Sequence, residues 1–200
     1  MHYDTALNNH GMEHDPFKAI VSPRPVGWIS TVDASGRTNL APYSFFNGIG
    51  NEPPMVMFCS TGWKDSVSNI AATGEFVCNF ASYDLKDAMN ESSAPVAHEV
   101  SEFELTGLEA APSLKVRVPR VAAAKAALEC RHLQTIRLKD LNGHETDTWM
   151  VMGQVVSVYI DDSAIVNGRF DVTVVKPLSR LGYMDFSAVE SVFEMKRPKG

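Results

Sequence analysis

The stretch "RPVGWISTVDASGRTNLAPYSFFNGI", residues 24–49, reads as two strands joined by a turn. Its first half continues residues 18–23 and is rich in β-branched and aromatic side chains. Pro23 and Pro25 interrupt it, so it begins at a sheet edge or a strand start, not in a central ladder. Asp33-Ala34-Ser35-Gly36 supplies the turn, with Gly36 free to take positive φ. Residues 38–47 return as the second strand. That strand puts a proline, small residues, hydroxyls and amides where core side chains are usual: Asn39-Leu40-Ala41-Pro42, then Tyr43-Ser44-Phe45-Phe46-Asn47. A flat, mostly apolar ligand with polar edges wants this composition. Small residues let backbone approach it, and free N–H, C=O and hydroxyl groups meet its rim. A strand that ends in a bulge at Pro42 accounts for the same residues.

Working outward, Asn51-Glu52-Pro53-Pro54 forms a loop, and residues 55–59 are a continuous apolar run typical of a buried strand. The period then changes. Residues 64–73 place Val67, Ile70 and Ala71 on one helical face, and Gly74 ends the helix. Residues 75–81 form a strand, and 84–91 a short helix that Asp84 can cap. Residues 92–119 hold no lasting period, which predicts an excursion with one or two short elements and a polar turn at Ser101-Glu102-Phe103. After an alanine-rich run, a strand starts near Ala126. Asn142-Gly143 signals a hairpin, residues 148–160 a long strand with a bulge or bend at Gly153, and Asn167-Gly168 another turn. Residues 178–183 end the ordered part. Many strands, frequent turns and two or three helices predict a mainly β fold, a closed or split antiparallel barrel with helical additions. The 200 residues are expected to form one domain, with an irregular arm at 1–16 and a polar tail at 187–200.

The 44% hydrophobic content suffices for a sizeable core. A formal charge of −6 argues against nucleic-acid binding. The polar N-terminus carries no secretory signal, and no apolar run spans a bilayer, so a cytoplasmic location without membrane contact is expected. Cys59, Cys78 and Cys130 sit apart in apolar runs and read as buried free thiols.

The sequence lacks a dinucleotide fingerprint, a phosphate-binding Walker loop and a serine nucleophile elbow. His10 and His14 flank Glu13 but read as surface residues of the arm, not metal ligands. Asp140, Asp161 and Asp162 read as turn acids. No catalytic residue stands out. The positive signal is Cys59-Ser60-Thr61-Gly62-Trp63-Lys64-Asp65-Ser66, where a strand end, two hydroxyls and a glycine lead to a lysine at a helix mouth. Free N–H groups and the helix dipole there suit a phosphate, with Lys64 adding charge. A helix cap at Ser60, Thr61 or Asp65 beside a solvated lysine explains the same residues. Trp28 and Trp63 read as core or half-buried residues.

Residues 22–58, "SPRPVGWISTVDASGRTNLAPYSFFNGIGNEPPMVMF", followed by "STGWKDSVSNIAATGEFVCNF", closely resemble the flavin reductase-like family of FMN-binding split barrels. "ALECRHLQTIRL", "MVMGQVVSVYIDD" and "PLSRLGYMDF" resemble its second half, so the resemblance covers roughly residues 17–186. It implies a split β-barrel, homodimeric, holding FMN near the subunit interface. Cofactor contacts are implied at Arg24, at Asn39, Leu40, Ala41 and Pro42 for the isoalloxazine, and for the phosphate at Ser44, Phe45, Phe46 and Asn47 together with Ser60, Thr61, Lys64, Asp65 and Ser66. The implied activity is hydride transfer from NADH or NADPH to flavin, and onward transfer to free flavin, oxygen or a partner. The alternatives are an FMN electron carrier reduced by a protein redox partner, and a flavin-binding module without turnover. A flavin itself carries the redox chemistry, which fits the lack of an obvious acid or base.

Overall fold

The computed structural model describes residues 1–198. The expected tail thus has its last two positions outside the described residues. Seven antiparallel strands make the main sheet: β1 (Gly27–Val32), β2 (Thr38–Tyr43), β3 (Phe46–Asn51), β4 (Pro54–Thr61), β5 (Glu75–Phe80), β6 (Ala126–Lys139) and β7 (Glu145–Ile160). Their spatial order is β2-β1-β5-β6-β7-β4-β3. The two edge strands, β2 and β3, are consecutive in the chain and joined only by Ser44 and Phe45. Three residue steps reach about 10 Å, so the sheet has to curl until its edges meet. Phe45 extends the β3–β4 ladder by one rung, its carbonyl accepting the Cys59 N–H at 2.8 Å. The result is a mainly β split barrel, as the sequence predicts.

Two turns are built alike. Gly36 and Gly143 take φ of 89° and 83°, and each donates its N–H to an aspartate carbonyl three residues earlier, Asp33 and Asp140. The barrel interior is filled by Ile29, Val56, Phe58, Phe76, Cys130, Val151 and Val155. Helix α2 (Asp65–Thr73) closes the interior with Val67 and Ile70, and ends at Gly74 in the left-handed region, φ 73°. Gly153 sits at a register shift of β7 against β6 and directly under Phe76, whose ring leaves no room for a Cβ. β1 is buried along its whole length because its outer face is also covered. There Trp28 and Leu40 pack with Met89 of helix α3 (Lys86–Glu91) and Phe103 of helix α4 (Glu102–Leu105). One turn of helix, α1 (Phe17–Ile20), precedes Arg24–Pro25, which pairs with Leu178–Arg180 in a separate small sheet.

Several expectations change. Residues 38–47 are not one strand: the chain leaves one barrel edge at Tyr43 and enters the other at Phe46. The polar turn at Ser101 is the start of α4, where Ser101 Oγ meets Thr38 Oγ1 at 2.7 Å. Asp84 lies in a 3₁₀ turn and makes no cap. The chain remains ordered past residue 183, since Phe186–Ala188 adds a strand beside Leu178–Arg180. His10 is buried, not a surface residue, and its Nδ1 accepts the Met12 N–H. Cys78 and Cys130 are buried free thiols, whereas Cys59 is only half-buried. Trp28 is core; Trp63 is about half exposed and meets the Trp149 ring edge-on. Among the described residues no helix is long and apolar enough to cross a membrane.

Candidate functional site

Edge strand β2 forms the floor of a cleft of about 350 Å³. Asn39, Ala41 and Pro42 lie along this floor; the start of α2, with Lys64, Asp65 and Ser66, forms one end, and residues 92–96 form the facing wall. Small side chains on both sides, Ala41 and Pro42 against Ala94 and Pro95, leave a slot in which a planar group reaches backbone.

Helix α2 begins without a side-chain cap. Its N-cap residue is Lys64 in extended conformation, not Ser60, Thr61 or Asp65. The first-turn N–H groups therefore have no side-chain acceptor and, with the helix dipole, favour an anion. Lys64 is exposed at this mouth. Asp65 is turned away to His98, its carboxylate 2.9 Å from Nδ1. His98 also lies 3.7 Å from Asp33, whose carboxylate is held down to about 2 by the Ser35 hydroxyl and the Arg37 and Ser35 amides.

Under the slot runs a buried polar network. Asn39 Nδ2 donates to Ser66 Oγ at 3.0 Å and to Thr31 Oγ1 at 3.3 Å, and Asn69 Nδ2 donates to the same Thr31 oxygen at 3.1 Å. The Tyr43 phenol lies by the Ser66 and Ser60 hydroxyls, and burial pushes its pKa up. This network fixes α2 on the edge strand, so the helix mouth and the floor keep one geometry. Glu102 enters the same cleft from α4, and its Oε2 accepts the Leu40 N–H at 2.9 Å. Burial raises the Glu102 pKa, aided by the Asp65 charge, against the pull of the Leu40 amide.

The residues implied by the resemblance divide into three groups. Asn39, Ala41, Pro42, Lys64, Asp65 and Ser66 share the cleft. Arg24, Ser44, Phe45, Phe46 and Asn47 line a separate, largely apolar cavity of about 610 Å³. The two stretches expected to grip one phosphate therefore line different cavities, because the chain crosses the barrel seam at Ser44-Phe45. Leu40, Ser60 and Thr61 line neither. The Leu40 side chain is fully buried on the Trp28 side, and its backbone N–H is taken by Glu102. The Ser60 hydroxyl is also fully buried and donates to the Gly62 carbonyl. Thr61 points to solvent at the end of β4.

Sequence reasoning missed Ser92, Ser93 and Glu102. Ser92-Ser93-Ala94-Pro95 repeats the small, hydroxyl-bearing, proline-containing composition of residues 39–44, and that repetition was a usable signal. Ser92 Oγ accepts from Trp28 Nε1 at 2.9 Å, which anchors the wall to the core.

Residues 21–175 match the flavin reductase like domain. An uncharacterized protein of Deinococcus radiodurans is 33% identical over 210 residues, covering 98% of this chain and 89% of that protein. The crystal structure of Pseudomonas fluorescens 2-nitrobenzoate 2-nitroreductase superposes with a TM-score of 0.86 at 26% identity, covering 99% of this chain and 96% of that one. Nitrilotriacetate monooxygenase component B of Bacillus cereus superposes with a TM-score of 0.85 at 28% identity, covering 98% of each chain.

Proposed function

The chain belongs to the flavin reductase-like family, whose members are flavin-linked oxidoreductases, and from that premise we propose that it is an FMN-dependent oxidoreductase using reduced nicotinamide as donor. The observation that carries this reading is the uncapped mouth of α2 at Lys64, opening onto a slot walled by small residues. The donor set fits FMN. Lys64 and the first-turn amides suit its phosphate, and Ala41, Pro42, Ala94 and Pro95 suit a planar ring. Held there by Lys64, the first-turn amides and the slot walls, FMN would supply two-electron redox chemistry between NADH or NADPH and free flavin, oxygen or a partner.

The chain's own residues position and shield. Asn39 and Ser66 hold the helix mouth over the strand, and Ser92 holds the opposite wall. The reading includes a homodimer in the cytoplasm. The 610 Å³ cavity shares Arg24 and Ser44 with a smaller pocket that meets the cleft at Pro42 and Ser93, and its walls include Phe17 and Ile20, which are 52% and 73% exposed. A second subunit covering this apolar surface also shields the flavin end nearest it.

Stopped-flow mixing of the FMN-loaded protein with NADH and NADPH tests the reading. Rapid bleaching of flavin absorbance by either is expected. A flavin that bleaches only with a protein donor, or with none, contradicts the nicotinamide assignment.

A further inference from the structure

Beyond Pro42 and Ser93, which it shares with the flavin cleft, lies a pocket of about 230 Å³ with a different charge. Lys18, Arg24 and Arg180 line it, with Ser44 and Asn90 as neutral partners, and among the described residues no carboxylate does. None of the ion pairs among the described residues involves these three cations.

Arg24 and Arg180 are directly opposite each other in the antiparallel pairing of the small sheet. Like charges so placed destabilise a sheet. Arg24 is only 6% exposed. Its terminal nitrogens donate to the Lys18, Val21 and Leu181 carbonyls, but its buried Nε has no partner among the described residues. A buried guanidinium opposed by a second guanidinium and, among the described residues, left without a counter-charge is costly unless an anion in the pocket balances the charge. Burial, and then the Arg180 charge, lower the Arg24 pKa accordingly. Arg180 reaches over the Phe186 ring at 4.4 Å, and Tyr183 adds a second aromatic wall.

We propose that this pocket is a second anion subsite, separate from the Lys64 end of the cleft, and that it receives the anionic group of the flavin's redox partner. That group is a phosphate of the dinucleotide donor or the carboxylate of a small aromatic acceptor. The assignment of the ligand to a redox partner rests on the flavin reading above; the anion site itself rests on Lys18, Arg24 and Arg180.

Calorimetric titration of the FMN-loaded protein with ADP and with benzoate tests it, using wild type, Arg180→Gln and Lys18→Gln. At least one anion binds wild type, and its Kd rises about tenfold or more in each variant, since one charge-assisted contact is lost. ADP binding alone assigns the donor phosphate, benzoate alone the acceptor carboxylate, and both together a shared site. Arg180→Gln also melts higher than wild type in anion-free buffer, because the repulsion is gone, and saturating ligand closes that gap. Lys18 is exposed, so its variant keeps the test open should Arg180→Gln fold poorly. Failure of both anions to bind, or Kd values unchanged in both variants, overturns the proposal. FMN affinity is measured separately: its absence counts against the flavin assignment, whereas unchanged anion binding counts against this subsite.

Discussion

Glu102 Oε2 accepts the backbone N–H of Leu40 at 2.9 Å, across 62 residues of sequence. Leu40 lies in the middle of edge strand β2, whose outer amides have no neighbouring strand among the described residues. The carboxylate takes the place of a strand there, and α4 covers the barrel edge that would otherwise be exposed. Truncation by Glu102→Ala leaves a fully buried amide unpaired, a loss of about 1–3 kcal/mol. A shift of the urea midpoint to lower concentration at constant slope checks it, and an unchanged midpoint refutes it.

Glu102→Gln keeps an acceptor and removes the charge. Burial raises the Glu102 pKa, so the folded state holds that proton more tightly than the unfolded state. Ionisation therefore costs stability. The cost is absent below the unfolded value of about 4.3, grows as pH rises through the folded value, and is constant above it. The stability of Glu102→Gln relative to wild type should rise with pH across that window and then level off. Urea midpoints from about pH 4 to about pH 8 decide the matter, and a difference that falls with pH contradicts it.

Lys64→Ala should weaken FMN binding more than Arg37→Ala. Lys64 stands free at the uncapped helix mouth, while Arg37 is engaged with Asp33 at 3.6 Å and donates to the His98 carbonyl at 3.2 Å. A hydrogen bond to a charged group contributes roughly 1.5–3 kcal/mol, which is about tenfold or more in Kd. Riboflavin lacks the phosphate, so it should bind wild type more weakly than FMN and be nearly indifferent to Lys64→Ala. Flavin fluorescence titration reads both. Equal loss for FMN and riboflavin would place the phosphate elsewhere.

Gly153→Ala should destabilise the barrel. A Cβ on Gly153 would lie 2.4 Å from Phe76 Cζ and 3.2 Å from the Arg131 carbonyl, and Phe76 is fully buried. Overpacking of this kind costs about 1–3 kcal/mol. Gly27→Ala makes the same conflict with Phe46, 2.6 Å away, at the barrel seam. Thermal melts of the two variants near the wild-type value would mean that these rings shift freely.

Sedimentation of the FMN-loaded protein should give a dimer. The apolar cavity beside Arg24 and Ser44, with Phe17 and Ile20 on its rim, offers the surface. A mass near the 21.9 kDa chain with FMN still tightly bound would exclude it.

The sequence by itself determined several strands, the 64–73 helix and the hairpin turns. Residues 55–59 and 148–160, Asp33 to Gly36, and the 64–73 helix with its Gly74 stop were all legible, since burial on one side and positive φ leave local marks in residue choice. It also determined the family, because the unusual composition of residues 39–47 and the helix mouth at Lys64 lie in short contiguous runs. Only the tertiary structure decided that the 38–47 run breaks at Ser44-Phe45 to join the two barrel edges. It alone turned Leu40 and Ser60 inward, and brought Glu102, Ser93 and Arg180 to residues far away in the chain. Periodicity records that a face is covered but not what covers it. An edge amide is met by whichever distant side chain the closed barrel brings within hydrogen-bond reach.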